Sequence, residues 1–173
     1  LKGVSLIDLE TGDLKKLNNA DYSRSVKFSV DGKKILTASG GTGGEAQIID
    51  TKTGKVLKSF ETKTAQPRWS FDESQLFFGA HRLGKSAVLD IASNELSIFE
   101  HEGNPGMTAF GGFDHLGKRI LSISQDQKFN VWNLESGELE FSVEHNRINN
   151  GFPGAVGVFT PDSQKLITVA KDL

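Results

Sequence analysis

Apolar residues along this chain come in short runs, each broken by a turn signal, and the pattern recurs. The first recurring segment reads Leu6-Ile7-Asp8-Leu9-Glu10-Thr11-Gly12, then Ile48-Ile49-Asp50-Thr51-Lys52-Thr53-Gly54, Val88-Leu89-Asp90-Ile91-Ala92-Ser93-Asn94, and Val131-Trp132-Asn133-Leu134-Glu135-Ser136-Gly137. Its Asp/Asn positions lie 42, 40 and 43 residues apart. Each copy is an apolar run that ends at Asp or Asn and enters a turn closed by Gly or Asn, the residues that tolerate positive φ. Apolar positions resume at once, as in Val56-Leu57 and Leu139. This predicts strand, tight turn, strand. No helical period is long enough to predict a helix, and no apolar run approaches the roughly 18 residues of a membrane helix.

A second segment is offset from the first. It reads Phe28-Ser29-Val30-Asp31-Gly32, Trp69-Ser70-Phe71-Asp72-Glu73, Phe113-Asp114-His115-Leu116-Gly117 and Phe159-Thr160-Pro161-Asp162-Ser163, with the aromatics 41, 44 and 46 apart. A strand follows each: Ile35–Ser39, Leu76–Ala80, Ile120–Ser124 and Leu166–Ala170. The unit is therefore four short strands, a to d, repeated at the period of a β-propeller blade. Residues 4–17 supply strands c and d of a first blade. Full blades are expected at 25–60, 66–99 and 107–142, and strands a and b of a last blade at 154–170. The central c strands should be buried on both faces, with Ile48, Val88, Leu89 and Val131 almost inaccessible.

Composition narrows the functional classes. Lys and Arg total 20 against 22 Asp and Glu, a net charge of −2, which argues against a dedicated nucleic-acid module or a basic membrane-surface patch. With no Cys there is no disulfide framework and no thiolate metal site. The 19 Gly and 12 Phe suit many strands and tight turns. The chain starts at Leu1 without a Met, and both ends fall beside strands, so it reads as part of a longer propeller.

The Phe-Ser-x-Asp-Gly step and the later Trp-Asn resemble the WD-repeat (WD40) β-propeller family, in degenerate form and over nearly the whole chain. The best copy runs from Phe113 through Gly117 to Trp132-Asn133, a Phe-to-Trp distance of 19. The resemblance implies a buried, hydrogen-bonded blade lock of His101, Ser122 or Ser124, Asp126 and Trp132; Asp172 matches Asp126 and His145 loosely matches His101. The other c strands carry Ile7, Ile49 and Leu89 at the Trp position, and the first two full blades have neither the His nor the turn Asp. The family usually closes rings of seven blades. By resemblance this chain is expected to be an open arc of such a ring, with 4–9 and 166–170 as its edges. Asp50-Thr51-Lys52-Thr53-Gly54-Lys55 also resembles the quinoprotein propeller repeat, but that repeat's docking Trp is missing and it lacks the Phe-Ser-x-Asp-Gly step.

Other features carry chemistry only on paper. Gly79-Ala80-His81-Arg82-Leu83-Gly84-Lys85-Ser86 matches the phosphate-binding P-loop letter for letter, yet the motif needs a helix after it and the repeat places a strand there. The Gly40–Gly44 run reads as a long b–c connection. The four His have no metal-ligand spacing, so no metal and no cofactor are expected, and no catalytic constellation assembles. The d–a and b–c connections share one face, where Arg24, Arg68, His81, Arg82, Asn104 and Arg147 would form a polar rim for a protein or peptide partner. The expectation is a non-catalytic WD-repeat-like scaffold that binds protein, not nucleic acid or membrane. The alternatives are the propeller domain of a quinoprotein-type enzyme and a nucleotide-binding protein acting through 79–86.

Overall fold

A computed structural model describes residues 4–18, 23, 25–39, 44–62, 66–82, 84–102, 108–124, 128–144 and 156–169. The chain divides into two compact units, 1–67 and 68–173. Among the described residues there are strands and turns and no helix.

In the first unit, β1 (Val4–Ile7) and β2 (Leu14–Asn18) form an antiparallel hairpin. Four strands follow as one antiparallel sheet in chain order: β3 (Ser25–Phe28), β4 (Lys34–Ala38), β5 (Glu45–Asp50) and β6 (Val56–Glu61). Val4, Leu17, Ile35 and Ile49 meet in the core of this unit, with Leu6 against them. Lys15 Nζ also reaches the carbonyls of Thr51 and Lys52.

The second unit holds two further sheets of the same order and a terminal pair. The first is β7 (Arg68–Trp69), β8 (Gln75–Arg82), β9 (Lys85–Asp90) and β10 (Leu96–Glu100). The second is β11 (Thr108–Phe113), β12 (Arg119–Ser124), β13 (Lys128–Asn133) and β14 (Leu139–Glu144). Strands β15 (Val156–Phe159) and β16 (Leu166–Val169) form a two-stranded sheet. Within the second unit, β12 is apolar on both faces because its Ile120 packs with the preceding sheet and its Leu121 with β15–β16. Ile48, Val88, Leu89 and Val131 on the third strands are all buried, as the sequence predicts. The fourth strands, β6 and β14, are mostly exposed and form the rim. The ladders slip by one residue between Ile48 and Ile49 and between Val131 and Trp132, bulges that add twist just before the turn.

The turns explain both repeated segments. After each third strand, and likewise after β1, one Asx side chain caps the turn. Asp50 accepts the Thr53 N–H and Asn133 the N–H groups of Glu135 and Ser136. The closing residues Gly12, Gly54, Asn94 and Gly137 all have φ between 63° and 77°. In the turn between first and second strands, Ser29 donates to Asp31 (2.8 Å) and accepts the Lys34 N–H (2.9 Å). Ser70 with Asp72 and Thr160 with Asp162 repeat this arrangement. In β11–β14, Asp114 stands in the serine's place and takes the N–H groups of Lys118 (2.8 Å) and Arg119 (3.0 Å) itself. A carboxylate that does both jobs lets Leu116 occupy the position where the other copies need Asp.

These exposed turn carboxylates give an acid-stability signature. The Lys33 N–H and the Ser29 hydroxyl hold Asp31 down to about 2, and Asp72 and Asp162 are lowered chiefly by their Ser70 and Thr160 hydroxyls. An unfolded Asp titrates near 3.9, so the unfolded chain binds more protons in this window. The turns therefore contribute fully above about pH 4, and that contribution drains away as the pH falls towards about 2. Urea midpoints should be level above about pH 5 and drop below 4. Asp31→Asn should flatten part of that drop, and an unchanged pH profile in this variant would remove Asp31 from the account.

Candidate functional site

Among the described residues, a buried polar cluster lies where β10 runs into the following sheet. His101 sits just past β10 and is tied back by its own N–H to the Gly84 carbonyl (2.9 Å). Its Nε2 lies 2.7 Å from Ser122 Oγ on β12, and that same oxygen accepts the Trp132 Nε1–H at 2.8 Å. The other ring nitrogen, Nδ1, faces Asn130 Nδ2 at 3.1 Å. Asn130 Oδ1 in turn accepts the Ser142 hydroxyl at 2.7 Å. With Asn130 donating, Nδ1 is the acceptor, and Nε2 carries the proton it gives to Ser122. The His101 and Trp132 rings meet edge to face at 5.7 Å, and Phe99 also lies 5.7 Å from Trp132. His101, Ser122, Asn130 and Trp132 are all buried.

Of the residues named from the sequence, the structure thus brings His101, Ser122 and Trp132 together. Ser124 is turned to a different partner, the Lys128 carbonyl at 3.3 Å. Asp126 lies outside the described residues. Asn130 and Ser142 complete the chain of bonds and carry no sequence signal, because the same strand position is Gln47 and Ala87 in the other sheets. Asn130→Ala would strand the acceptor of His101 in a buried site. It should cost about 1–3 kcal/mol in a urea melt, and a loss under about 0.5 kcal/mol would show that the bond contributes nothing.

The expected partner rim is only partly placed. Arg24, Asn104 and Arg147 lie outside the described residues. Arg68 belongs to β7, opposite Phe77, and not to a connection. Strand β8 continues to Arg82, which pairs with Lys85, so His81 and Arg82 also belong to a strand rather than a loop. The β8–β9 ladder is interrupted by an irregularity after Phe78 and resumes at Arg82 and Lys85, which extends the hairpin. The same ladder disposes of a phosphate loop over 79–86: Lys85 opens β9, and the buried Ser86 hydroxyl bonds the Gly79 carbonyl at 3.3 Å. At the opposite end of the sheet, Arg119 and Glu140 pair at 2.6 Å and Asn133 supports Glu140 at 2.9 Å. The Arg119 guanidinium, followed by the Asn133 amide, lowers the Glu140 carboxyl, and Glu140 raises Arg119.

Among solved structures, the β-propeller domain of Cps50 (Swd1) from Myceliophteria thermophila matches with a TM-score of 0.74, over 97% of this chain and 56% of that chain, at 18% identity. Four-stranded antiparallel sheets in series and this match define the class of fold: the chain is built of β-propeller blades, and its turns and His–Ser–Trp cluster resemble the WD-repeat pattern in degenerate form. The curated relatives it matches are one particular kind. Eukaryotic translation initiation factor 3 subunit I of Botryotinia fuckeliana is 27% identical over 158 residues, covering 83% of this chain and 46% of the relative. The same subunit of Aspergillus oryzae is 26% identical over 150 residues, 80% of this chain and 44% of the relative. The chain thus spans less than half the length of these relatives. No family model matches it.

Proposed function

We propose that this chain is a non-catalytic scaffold that binds protein partners within a larger assembly. The observation that carries this reading is the similarity, over 83% of the chain, to relatives whose name makes them subunits of a multi-subunit translation factor. The buried His101–Ser122–Trp132 cluster supports it, since it ties the end of one blade to the middle strands of the next and gives a partner a firm frame to dock on. Arg24, Asn104 and Arg147, expected in the connections, together with Arg68 on β7 and His81 and Arg82 on β8, are the proposed contact set, with Arg supplying planar, bidentate hydrogen bonding to partner carboxylates. The test is native mass spectrometry of the tagged protein purified at its natural abundance. A protein partner in fixed stoichiometry is expected, and Arg24→Glu with Arg147→Glu should weaken that association at least tenfold while the circular dichroism spectrum stays unchanged. A chain recovered alone, or a charge reversal without effect on the complex, overturns the scaffold or the rim respectively.

A further inference from the structure

Each four-stranded sheet carries two turns at one end, one between its first and second strands and one between its third and fourth. The two are bonded side by side. The Ile91 N–H donates to the Ser74 carbonyl and the Leu134 N–H to the Lys118 carbonyl, both at 2.9 Å. In the second unit the turns also meet from sheet to sheet. Phe71 lies against His115 with ring centroids 5.3 Å apart, and the Leu116 N–H reaches the Ser163 hydroxyl at 3.3 Å. The turns thus form one continuous surface, at the end of the sheets away from His81 and Arg82.

Apolar groups stand open on it. Phe71 is 63% exposed and Leu116 56%, and both belong to turns inside complete four-stranded sheets. The turn itself does not ask for a ring, since Val30, His115 and Pro161 take the place of Phe71 in the other copies. The charge around these side chains is one-sided. The turns of β7–β10 and β11–β14 carry Asp72, Glu73, Asp90, Glu95, Glu135 and Glu138 against Lys118 and Arg119, and Arg119 is already paired with Glu140. The fold does not require this sign. In β3–β6 the place of Glu95 and Glu138 is held by Lys55, and that of Glu135 by Lys52. The turns close alike with either sign: the N–H groups of Gly54, Asn94 and Gly137 donate to the carbonyls of Asp50, Asp90 and Asn133 at 2.8, 3.0 and 3.0 Å. Glu73 even stands at a φ of 61°, where Gly32 and Gly117 stand in the other full sheets, a conformation that costs a side-chain-bearing residue energy. In the turn of His115 and Leu116, Asp114 is 1% exposed and its Oδ2 has no hydrogen-bond partner.

We propose that this turn surface of the second unit binds a basic segment of a protein partner, in which Lys or Arg residues flank an apolar side chain. The apolar side chain packs on the Phe71–His115 pair and Leu116, and the cations reach the surrounding carboxylates. Apolar burial supplies affinity, and the carboxylates select the sign of the partner and steer its approach. An Arg over the face of Phe71 adds a cation–π contact. The surface is distinct from the set of Arg24, Arg68, His81, Arg82, Asn104 and Arg147, so the proposal goes beyond the scaffold reading and its failure leaves that reading standing.

The probe is a fluorescein-labelled peptide of repeated Arg-Arg-Leu units, titrated with the whole chain and followed by anisotropy. It should bind, and less tightly as salt is raised. A peptide of repeated Arg-Arg-Gly units, equally charged without the apolar side chain, should bind at least tenfold more weakly, and one of repeated Glu-Glu-Leu units should not bind. Glu95→Lys with Glu138→Lys should weaken binding of the Arg-Arg-Leu peptide at least tenfold with circular dichroism unchanged, because Lys55 shows that this turn accepts lysine. Phe71→Ser should also weaken it at least tenfold, and Arg24→Glu with Arg147→Glu should not weaken it. No binding of the Arg-Arg-Leu peptide, equal binding of either control peptide, full binding by the double lysine variant or by Phe71→Ser, or an equal loss from the Arg24 and Arg147 reversals each overturns the proposal.

Discussion

Trp132→Ala is expected to remove about 3–5 kcal/mol of stability. Three effects coincide there. The indole fills the slot among Phe77, Val88, Phe99 and Ile120, so its removal leaves a cavity between two blades that packed sheets cannot collapse to fill. Its Nε1–H is one of two donors on the buried Ser122 hydroxyl. Its ring edge also orients His101. Urea melts followed by circular dichroism measure the loss, and Trp69 remains as a fluorescent reporter of the second unit. Trp132→Phe keeps most of the volume without the donor, and should lose about half as much. If it loses as much as the alanine variant, the hydrogen bond outweighs the packing.

Gly111→Ala is expected to be nearly as damaging, for the opposite reason: too many atoms. A Cβ at Gly111 would collide with the Leu121 carbonyl oxygen and lie 2.7 Å from Phe77 Cζ, at φ +153°. The nearest atom is backbone in the paired strand, so relief requires β11 to move off β12 or away from the preceding blade. Overpacking of 1–3 kcal/mol and an unfavourable φ together predict a loss of about 3 kcal/mol or more. Gly157→Ala provides the comparison. There a Cβ would meet the Leu121 side-chain end at 2.6 Å and the Phe129 ring at 3.3 Å. A leucine methyl can rotate aside, so about 1–2 kcal/mol is expected. Equal losses at the two positions would mean that the close approach at Gly111 is relieved as easily as the one at Gly157.

These two sites mark where sequence reading ends. Gly111 is one of 19 glycines and nothing in its neighbours distinguishes it. Its requirement comes from Phe77, 34 residues earlier, across a blade boundary. Trp132 was conspicuous, but as a motif residue. That it stands in line with Ile7, Ile49 and Leu89 was visible as alignment, and that it packs among Phe77, Val88 and Phe99 of the preceding blade was not.

What the sequence by itself determined is whatever a few neighbouring residues decide. Alternation and short apolar runs set the strands, Asp8, Asp50, Asp90 and Asn133 set the turns after β1 and the third strands, and their spacing set a four-stranded unit repeated at about forty residues. Tertiary structure alone chose Ser122 over Ser124, recruited Asn130 and Ser142, and drew Arg68, His81 and Arg82 into strands. The reason is range. A turn closes over two to five residues, so its chemistry is written locally. The His101 bonds span 21 and 29 residues, and depend on how one sheet lies on the next, which local pattern does not encode.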